Sequence, residues 1–240
     1  MYYVIISRLI FRLLQQSFVM FRKIDFYGGI RVPNTVITIA RSYGSGGRVI
    51  GQKLAKAMDI AYYDRNIIYL TSDKSGVDPQ FFSMHDENVK PGFFERLTYF
   101  SKKDIPPESR RFSSKENVFR YQQKMIRELA EKSDCVIIGR CANHTLKNCG
   151  HNLLRVFIWA PDEDCVNAVM KKLSISRADA EKMVNDIDKH RREYFRYYTK
   201  SDWESAKNYD LCINSSEYTT EQAIELIRRS AEIMKSLNIN

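Results

Sequence analysis

No CxxC pair occurs among the five cysteines, Cys135, Cys141, Cys149, Cys165 and Cys212, so their spacing encodes neither a zinc site nor a disulfide framework. A reduced, cytoplasmic setting is the expectation. No stretch offers the ~20 clean apolar residues that a bilayer span requires. The nearest candidate, residues 1–23, is broken by Arg8 and Arg12 and lacks the small-residue cleavage site of a secretory signal. No internal repeat is visible. Acid is scarce relative to base: 29 Asp and Glu face 38 Lys and Arg, a formal charge of +9. That excess favours anionic partners, and phosphorylated small molecules, nucleic acid and acidic lipid all satisfy it.

What is present suffices for one full domain, since 44% of the 240 residues are hydrophobic. Residues 1–33 read either as an amphipathic surface helix or as an extension outside the folded domain, with Met20 available as a later start; the second reading is preferred. From Asn34 onward, strand-length runs at 35–40, 135–139, 153–160 and 209–215 alternate with helical segments at 48–58, 115–132, 162–172, 176–198 and 219–236. This order predicts a three-layer α/β domain over 34–238, a parallel sheet covered on both faces. Two segments interrupt it. Residues 73–113 are polar, proline-containing and far longer than an ordinary connection, and 171–203 is helical and dense in basic and aromatic residues.

The most informative stretch is VITIARSYGSGGRVIGQKLA (36–55), an apolar strand running through glycines into a helix. Glycines at 44, 46 and 47 let the backbone turn tightly and aim successive amides at one point, and the helix beginning near Arg48 adds its positive end. That geometry binds phosphate. Phosphate loops of this kind normally keep a lysine and then a hydroxyl, for the terminal phosphates and magnesium. Counting back from Leu54–Ala55, an ungapped alignment with nucleoside monophosphate kinases puts Gly47 in the lysine position, followed by Arg48 and Val49. Arg48 is placed to supply the missing charge, and Ser42 or Ser45 remain as hydroxyl candidates. On the loop alone, a plain glycine-rich turn explains the pattern as well as a phosphate site does.

Four segments shift that balance: ITIARSYGSGGRVIGQKLA, IAYYDRNII (60–68), CVIIGRCANHTL (135–146), and DKHRREYFRYY (188–198) followed by Trp203 and YDLCINSS. Together they resemble the cytidylate kinase-like family of P-loop nucleoside monophosphate kinases over residues 34–236. The resemblance implies a P-loop kinase fold with a helical lid at 171–203 and an acceptor-side insert at 73–113. It implies ATP bound by Gly44, Ser45, Gly46, Gly47, Arg48 and Val49, with Mg2+ as cofactor and its protein ligand unknown. The acceptor nucleotide would meet Asp64, Arg65, Arg140, Asp188 and Arg191, and Arg48, Arg192 and Arg196 would act on the transferring phosphoryl group. An exposed helix start capped by Asp64 explains Asp64 and Arg65 nearly as well. The tyrosines and phenylalanine around 194–198 fit lid packing better than base stacking.

The chain also departs from the cytidylate kinase pattern. Cys141 stands where an aspartate follows the Gly-Arg pair, and Ile138 where an acid precedes it. Ala40 and Arg41 stand where an acid precedes the loop, and Cys165 replaces an arginine. Asp64, Asp86 and Glu87 are the carboxylates to test as replacements. Two functions are therefore expected to compete. One is transfer of the ATP γ-phosphoryl group to a nucleoside monophosphate, with CMP and dCMP as candidates. The other is a nucleotide-binding sensor with little turnover. The partners expected are small nucleotides, with no specific nucleic acid and no membrane span; the oligomeric state is open.

Overall fold

The computed structural model describes residues 26–27, 30–31, 33–75 and 115–237. The chain divides into two units, Met1–Pro33 and Asn34–Asn240. In the first, Phe26–Tyr27 pairs antiparallel with Ile30–Arg31. The second unit holds five strands, β1 (Thr35–Arg41), β2 (Ala61–Tyr63), β3 (Cys135–Ile138), β4 (Asn152–Trp159) and β5 (Leu211–Asn214). Its helices are α1 (Gly47–Ala57), α2 (Asn66–Ser75), α3 (Lys115–Lys132), α4 (Ala142–Thr145), α5 (Asp162–Leu173), α6 (Arg177–Thr199) and α7 (Thr220–Leu237).

All neighbouring strands are parallel, in the order β2-β3-β1-β4-β5. β1 lies at the centre and all seven of its residues are buried, which is why its sequence is nearly continuously apolar rather than alternating. The strand period of two still sorts side chains to opposite faces. Ile37, Ile39, Val136, Ile138, Val156 and Ile158 pack with Leu54 of α1 and Ile227 of α7. Val36, Cys135 and Ile137 pack instead with Met125, Ile126 and Leu129 of α3 and Ile67 of α2. Each such aliphatic side chain contributes ~1.5–3 kcal/mol on burial, so the two seams fix both the sheet and the strand edge above which the site lies.

A helical hairpin, α5 and α6, occupies the segment expected to be a lid. Its turn uses a left-handed Ser174 (φ 53°), and Ser176 caps α6 by accepting from the Asp179 amide. Cys165, Val166, Val169, Ala180 and Val184 form its interior. Of the expected insert, residues 73–75 end α2 and 76–113 lie outside the described residues, as do Asp86 and Glu87. Among the described residues no helix is long and apolar enough to cross a membrane.

Candidate functional site

β1 delivers the chain to the site. After Arg41 the backbone passes through Ser42–Tyr43–Gly44–Ser45–Gly46 into α1. Gly44 (φ 97°) and Gly46 (φ 75°) are both left-handed, a conformation costly for any residue bearing a Cβ. Their surroundings differ. A Cβ on Gly44 would lie 2.6 Å from the Cys165 carbonyl oxygen, whereas one on Gly46 would meet nothing within 4 Å. Packing against α5 therefore fixes Gly44, and Gly46 opens outward. Gly46 caps α1 without a side-chain hydrogen bond, and no acid occupies the first turn. The leading amides of the helix, Gly47 and Arg48, have no acceptor four residues back and present the positive end of α1.

Ser45 shapes the loop without offering its hydroxyl. The Ser45 Oγ donates toward Ser42 O at 2.9 Å and Ile158 O at 3.2 Å, and the Ser45 carbonyl accepts from the Ser215 hydroxyl at 2.7 Å. Val49, next after Arg48, is exposed and carries no hydroxyl at all.

At the β2 edge, Asp64 is buried and its carboxylate sits between two guanidinium groups. Arg48 Nε lies 2.7 Å from Asp64 Oδ2, and Arg140 Nη1 lies 3.6 Å from Asp64 Oδ1. The helix-cap reading of Asp64 is not the one the structure adopts. Asn66 Oδ1 accepts from the Asp64 amide at 2.7 Å, while the Asp64 carboxylate engages the arginines. Burial, reinforced by the Asp64 charge, pushes the Tyr62 phenol up. Arg140, expected to face the acceptor, is 0% exposed. Three successive left-handed residues, Gly139, Arg140 and Cys141, turn the chain sharply off β3, and Arg140 Nη1 reaches back toward Ile138 O at 3.4 Å. Arg140 supports Asp64 from below rather than lining the opening.

From the other side, α6 grips the loop. Asp188 accepts from the Tyr43 amide with both oxygens, at 3.0 and 2.9 Å, and from Arg191 Nη1 at 3.0 Å. Arg191 Nη1 also donates to Arg41 O at 3.0 Å, and its guanidinium lies 5.7 Å from the Tyr43 ring centroid. Burial pushes the Asp188 carboxyl up, against the pull of Arg191 and the Tyr43 amide. Asp188, expected at the acceptor, thus belongs to the root of the phosphate loop.

These elements enclose a cleft of about 540 Å³ running from Gly44–Val49 to Asp64–Arg65, with α5 and α6 as its far wall, a volume suited to a small-molecule ligand. A second recess of about 320 Å³ lies across the same glycines, against Ala160, Asp164, Ser215 and Ser216. The larger cleft is lined by five cationic residues, Arg41, Arg48, Arg65, Lys172 and Arg191, and by one carboxylate, Asp64. An outward-facing Gly46 and exposed cations fit a polyphosphate. Toward a magnesium ion, Ser45 Oγ is turned inward, whereas Ser42 lines the cleft and both Asp64 carboxylate oxygens, buried beside Arg48 and Arg140, accept no hydrogen bond, so Ser42 and Asp64 are the groups that would hold the ion.

The model of the cytidylate kinase-like family matches residues 36–217. The chain belongs to the cytidylate kinase-like family. The cytidylate kinase of Archaeoglobus fulgidus is 29% identical over 114 residues, 45% of this chain, and the match spans 59% of that relative's length. Among solved structures, an uncharacterized protein from Eubacterium ventriosum is similar with a TM-score of 0.59 at 23% identity, over 83% of this chain and 99% of that one. A shikimate kinase from Bacteroides thetaiotaomicron gives a TM-score of 0.47 at 11% identity, over 82% of this chain and 98% of its own. The parallel sheet and flanking helices make this a three-layer P-loop kinase fold.

Within this cytidylate kinase-like chain, the structure brings Gly44, Gly46, Gly47, Arg48, Val49, Asp64, Arg65 and Arg191 to one cleft. It does not bring Arg192 and Arg196. Arg192 pairs with Glu204 at 2.8 Å on the surface, and Arg196 is exposed. The reason is helical phase: Ala180, Val184, Asp188, Arg191 and Phe195 form the buried stripe, and at ~100° per residue Arg192 and Arg196 fall progressively outside it. Two cationic cleft residues carry no assignment from sequence. Arg41 was visible as a charge ending a buried strand at the carboxyl edge of a parallel sheet; Lys172 carries no sequence signal beyond its place in the segment expected to be a lid.

Proposed function

We propose that the chain is a phosphotransferase moving the γ-phosphoryl group of ATP to a nucleoside monophosphate, with CMP and dCMP the leading acceptors. The observation that carries this reading is the continuity of the cleft, which joins the uncapped start of α1 to Asp64 and Arg65 at the β2 edge under a cationic wall. A triphosphate laid along Gly44–Arg48 has its nucleoside in the smaller recess and its terminal phosphate in the larger. An acceptor phosphate oxygen then forms a bond to the γ-phosphorus as the bond to the β,γ-bridging oxygen breaks and ADP leaves. No protein nucleophile takes part; placement and charge carry the reaction. Arg48 and Arg65 supply exposed guanidinium forks for phosphate oxygens, Arg41 and Arg191 hold the loop root, and Lys172 adds charge from the lid. The membership in the cytidylate kinase-like family and the A. fulgidus relative support the phosphoryl-transfer class.

A second reading, a nucleotide sensor with little turnover, is favoured by one specific arrangement: Arg48, the residue in place of the loop lysine, is ion-paired to Asp64. A panel of ATP with each monophosphate, with ADP release followed, decides between them. Turnover with a pyrimidine monophosphate supports the kinase; ATP binding without turnover on any acceptor leaves the sensor.

A further inference from the structure

Resting on the reading of the cleft as a triphosphate site, we propose that the Arg48–Asp64 ion pair is a latch. The guanidinium that stands in for the loop lysine is parked on Asp64 in the unliganded chain, and an entering triphosphate draws it off. The two partners are held with unequal firmness. The Asp64 side chain is 5% exposed and that of Arg48 53%, so the arginine is the member that moves. Their contact is ionic rather than a directed hydrogen bond: Arg48 Nε lies 2.7 Å from Asp64 Oδ2, yet neither Asp64 oxygen accepts a hydrogen bond. A phosphate offers the same guanidinium both more charge and two parallel hydrogen bonds.

Opening the pair does not strand the carboxylate. Arg140, wholly enclosed, stays 3.6 Å from Asp64 Oδ1 as a fixed counter-charge, which avoids the unpaired buried charge that makes breaking an interior ion pair costly. The swing is also short, because Arg48 and Asp64 line one cleft together with Gly44, Gly46 and Gly47. Arg48 is the second residue of α1, whose leading amides and positive end already favour a phosphate there. One residue thus brings an amide and, once released, a guanidinium fork to the same ligand. The latch links the two halves of the cleft: Asp64, at the β2 edge, gives up Arg48 only when a phosphate on the loop side claims it, and anything that meets Asp64 in place of Arg48 strengthens triphosphate binding in return.

The test is a double-mutant cycle read by calorimetric titration of the intact chain with ATP in EDTA, so that no metal competes for Asp64. Asp64→Asn is expected to bind ATP about three- to fivefold more tightly than the parent chain, the cost of parting a half-exposed ion pair. Arg48→Gln is expected to bind about tenfold more weakly, having lost a charge-assisted contact. The double variant should match Arg48→Gln, since removing the carboxylate gains nothing once the guanidinium is gone. An equal gain from Asp64→Asn with and without Arg48 overturns the latch, because it reports only the loss of a negative charge from a cationic cleft. Where Asp64→Asn does not fold, or the parent chain gives no heat in EDTA, the deciding readout is the Arg48 Nε–H signal in NMR spectra of arginine-labelled parent chain, identified by its loss in Arg48→Gln. That signal is expected to shift on saturation with ATP and magnesium, and an unmoved signal overturns the latch. Absence of ATP binding in EDTA and in magnesium alike overturns the triphosphate site itself.

Discussion

The two left-handed loop glycines offer a sharp separation of stability from binding. In Gly44→Ala the new methyl group would lie 2.6, 2.8 and 2.9 Å from the carbonyl oxygen, Cα and carbonyl carbon of Cys165, all backbone atoms that cannot swing aside. The left-handed φ adds ~1–2 kcal/mol and the forced displacement ~1–3 kcal/mol, a total of about 2–5 kcal/mol. That is a large share of the ~5–15 kcal/mol that holds a domain together. In Gly46→Ala the same backbone strain applies, but the methyl group meets no atom within 4 Å, at a residue that lines both recesses. Its stability cost is therefore about 1–2 kcal/mol, while its effect on triphosphate affinity is expected to reach about tenfold or more, because it stands where a phosphate must approach the amides. Urea unfolding followed by circular dichroism, with m held constant as a check, gives the first quantity. Calorimetry with ATP gives the second. Equal destabilisation by both variants would refute the packing argument, and unchanged ATP affinity in Gly46→Ala would refute the phosphate assignment.

Asp188→Asn leaves Arg191 buried without its carboxylate and loosens the Tyr43 amide. A loss of about 3 kcal/mol is expected, seen as a fall in melting temperature of ~6–12 °C. Arg196→Ala is expected to leave ATP affinity and any turnover within about twofold of the parent chain, since surface charges away from a site contribute little, whereas Arg48→Glu places a second acid beside Asp64 and should abolish measurable ATP binding in the same titration. Cys165 is fully buried, and burial, followed by the Asp188 charge, pushes its thiol up to about 11 from an ordinary 9.0. The raised value means that the unfolded chain ionises first. Stability from this group is complete below pH 9 and declines as pH rises toward 11, by up to about 2 kcal/mol. In Cys165→Ala that part of the alkaline slope should vanish in denaturant melts taken across pH 8 to 11.

The buried strands are legible because β1 and β3 are short, largely β-branched runs buried along their whole length and β4 is a strand-length run of mostly apolar residues, and the helices because α1, α6 and α7 carry one apolar stripe each. Strand order is not legible, since a parallel ladder records nothing of which neighbour lies to its left. The site reads only in part, for reasons that attach to particular residues. Asp188 is followed by two arginines at i+3 and i+4, and both spacings bring side chains together on a helix. Only the stripe through Ala180, Val184 and Phe195 selects Arg191 for the loop and leaves Arg192 to Glu204. An arginine after VIIG advertises itself as a surface group; its burial depends on Asp64, far away in the chain, and on the left-handed turn at Gly139 to Cys141. Lys172 becomes noticeable once α5 is folded over the glycines.

The bond from the Tyr43 amide to Asp188 has a mechanical outcome. A flap tethered near the middle of its longer helix cannot swing as a rigid door; it must flex from the free tip at Ser174, with amplitude dying away toward His190. Amide exchange and site-specific probes should therefore register a gradient along the hairpin, steepest at its outer bend, and cutting the tether should flatten it.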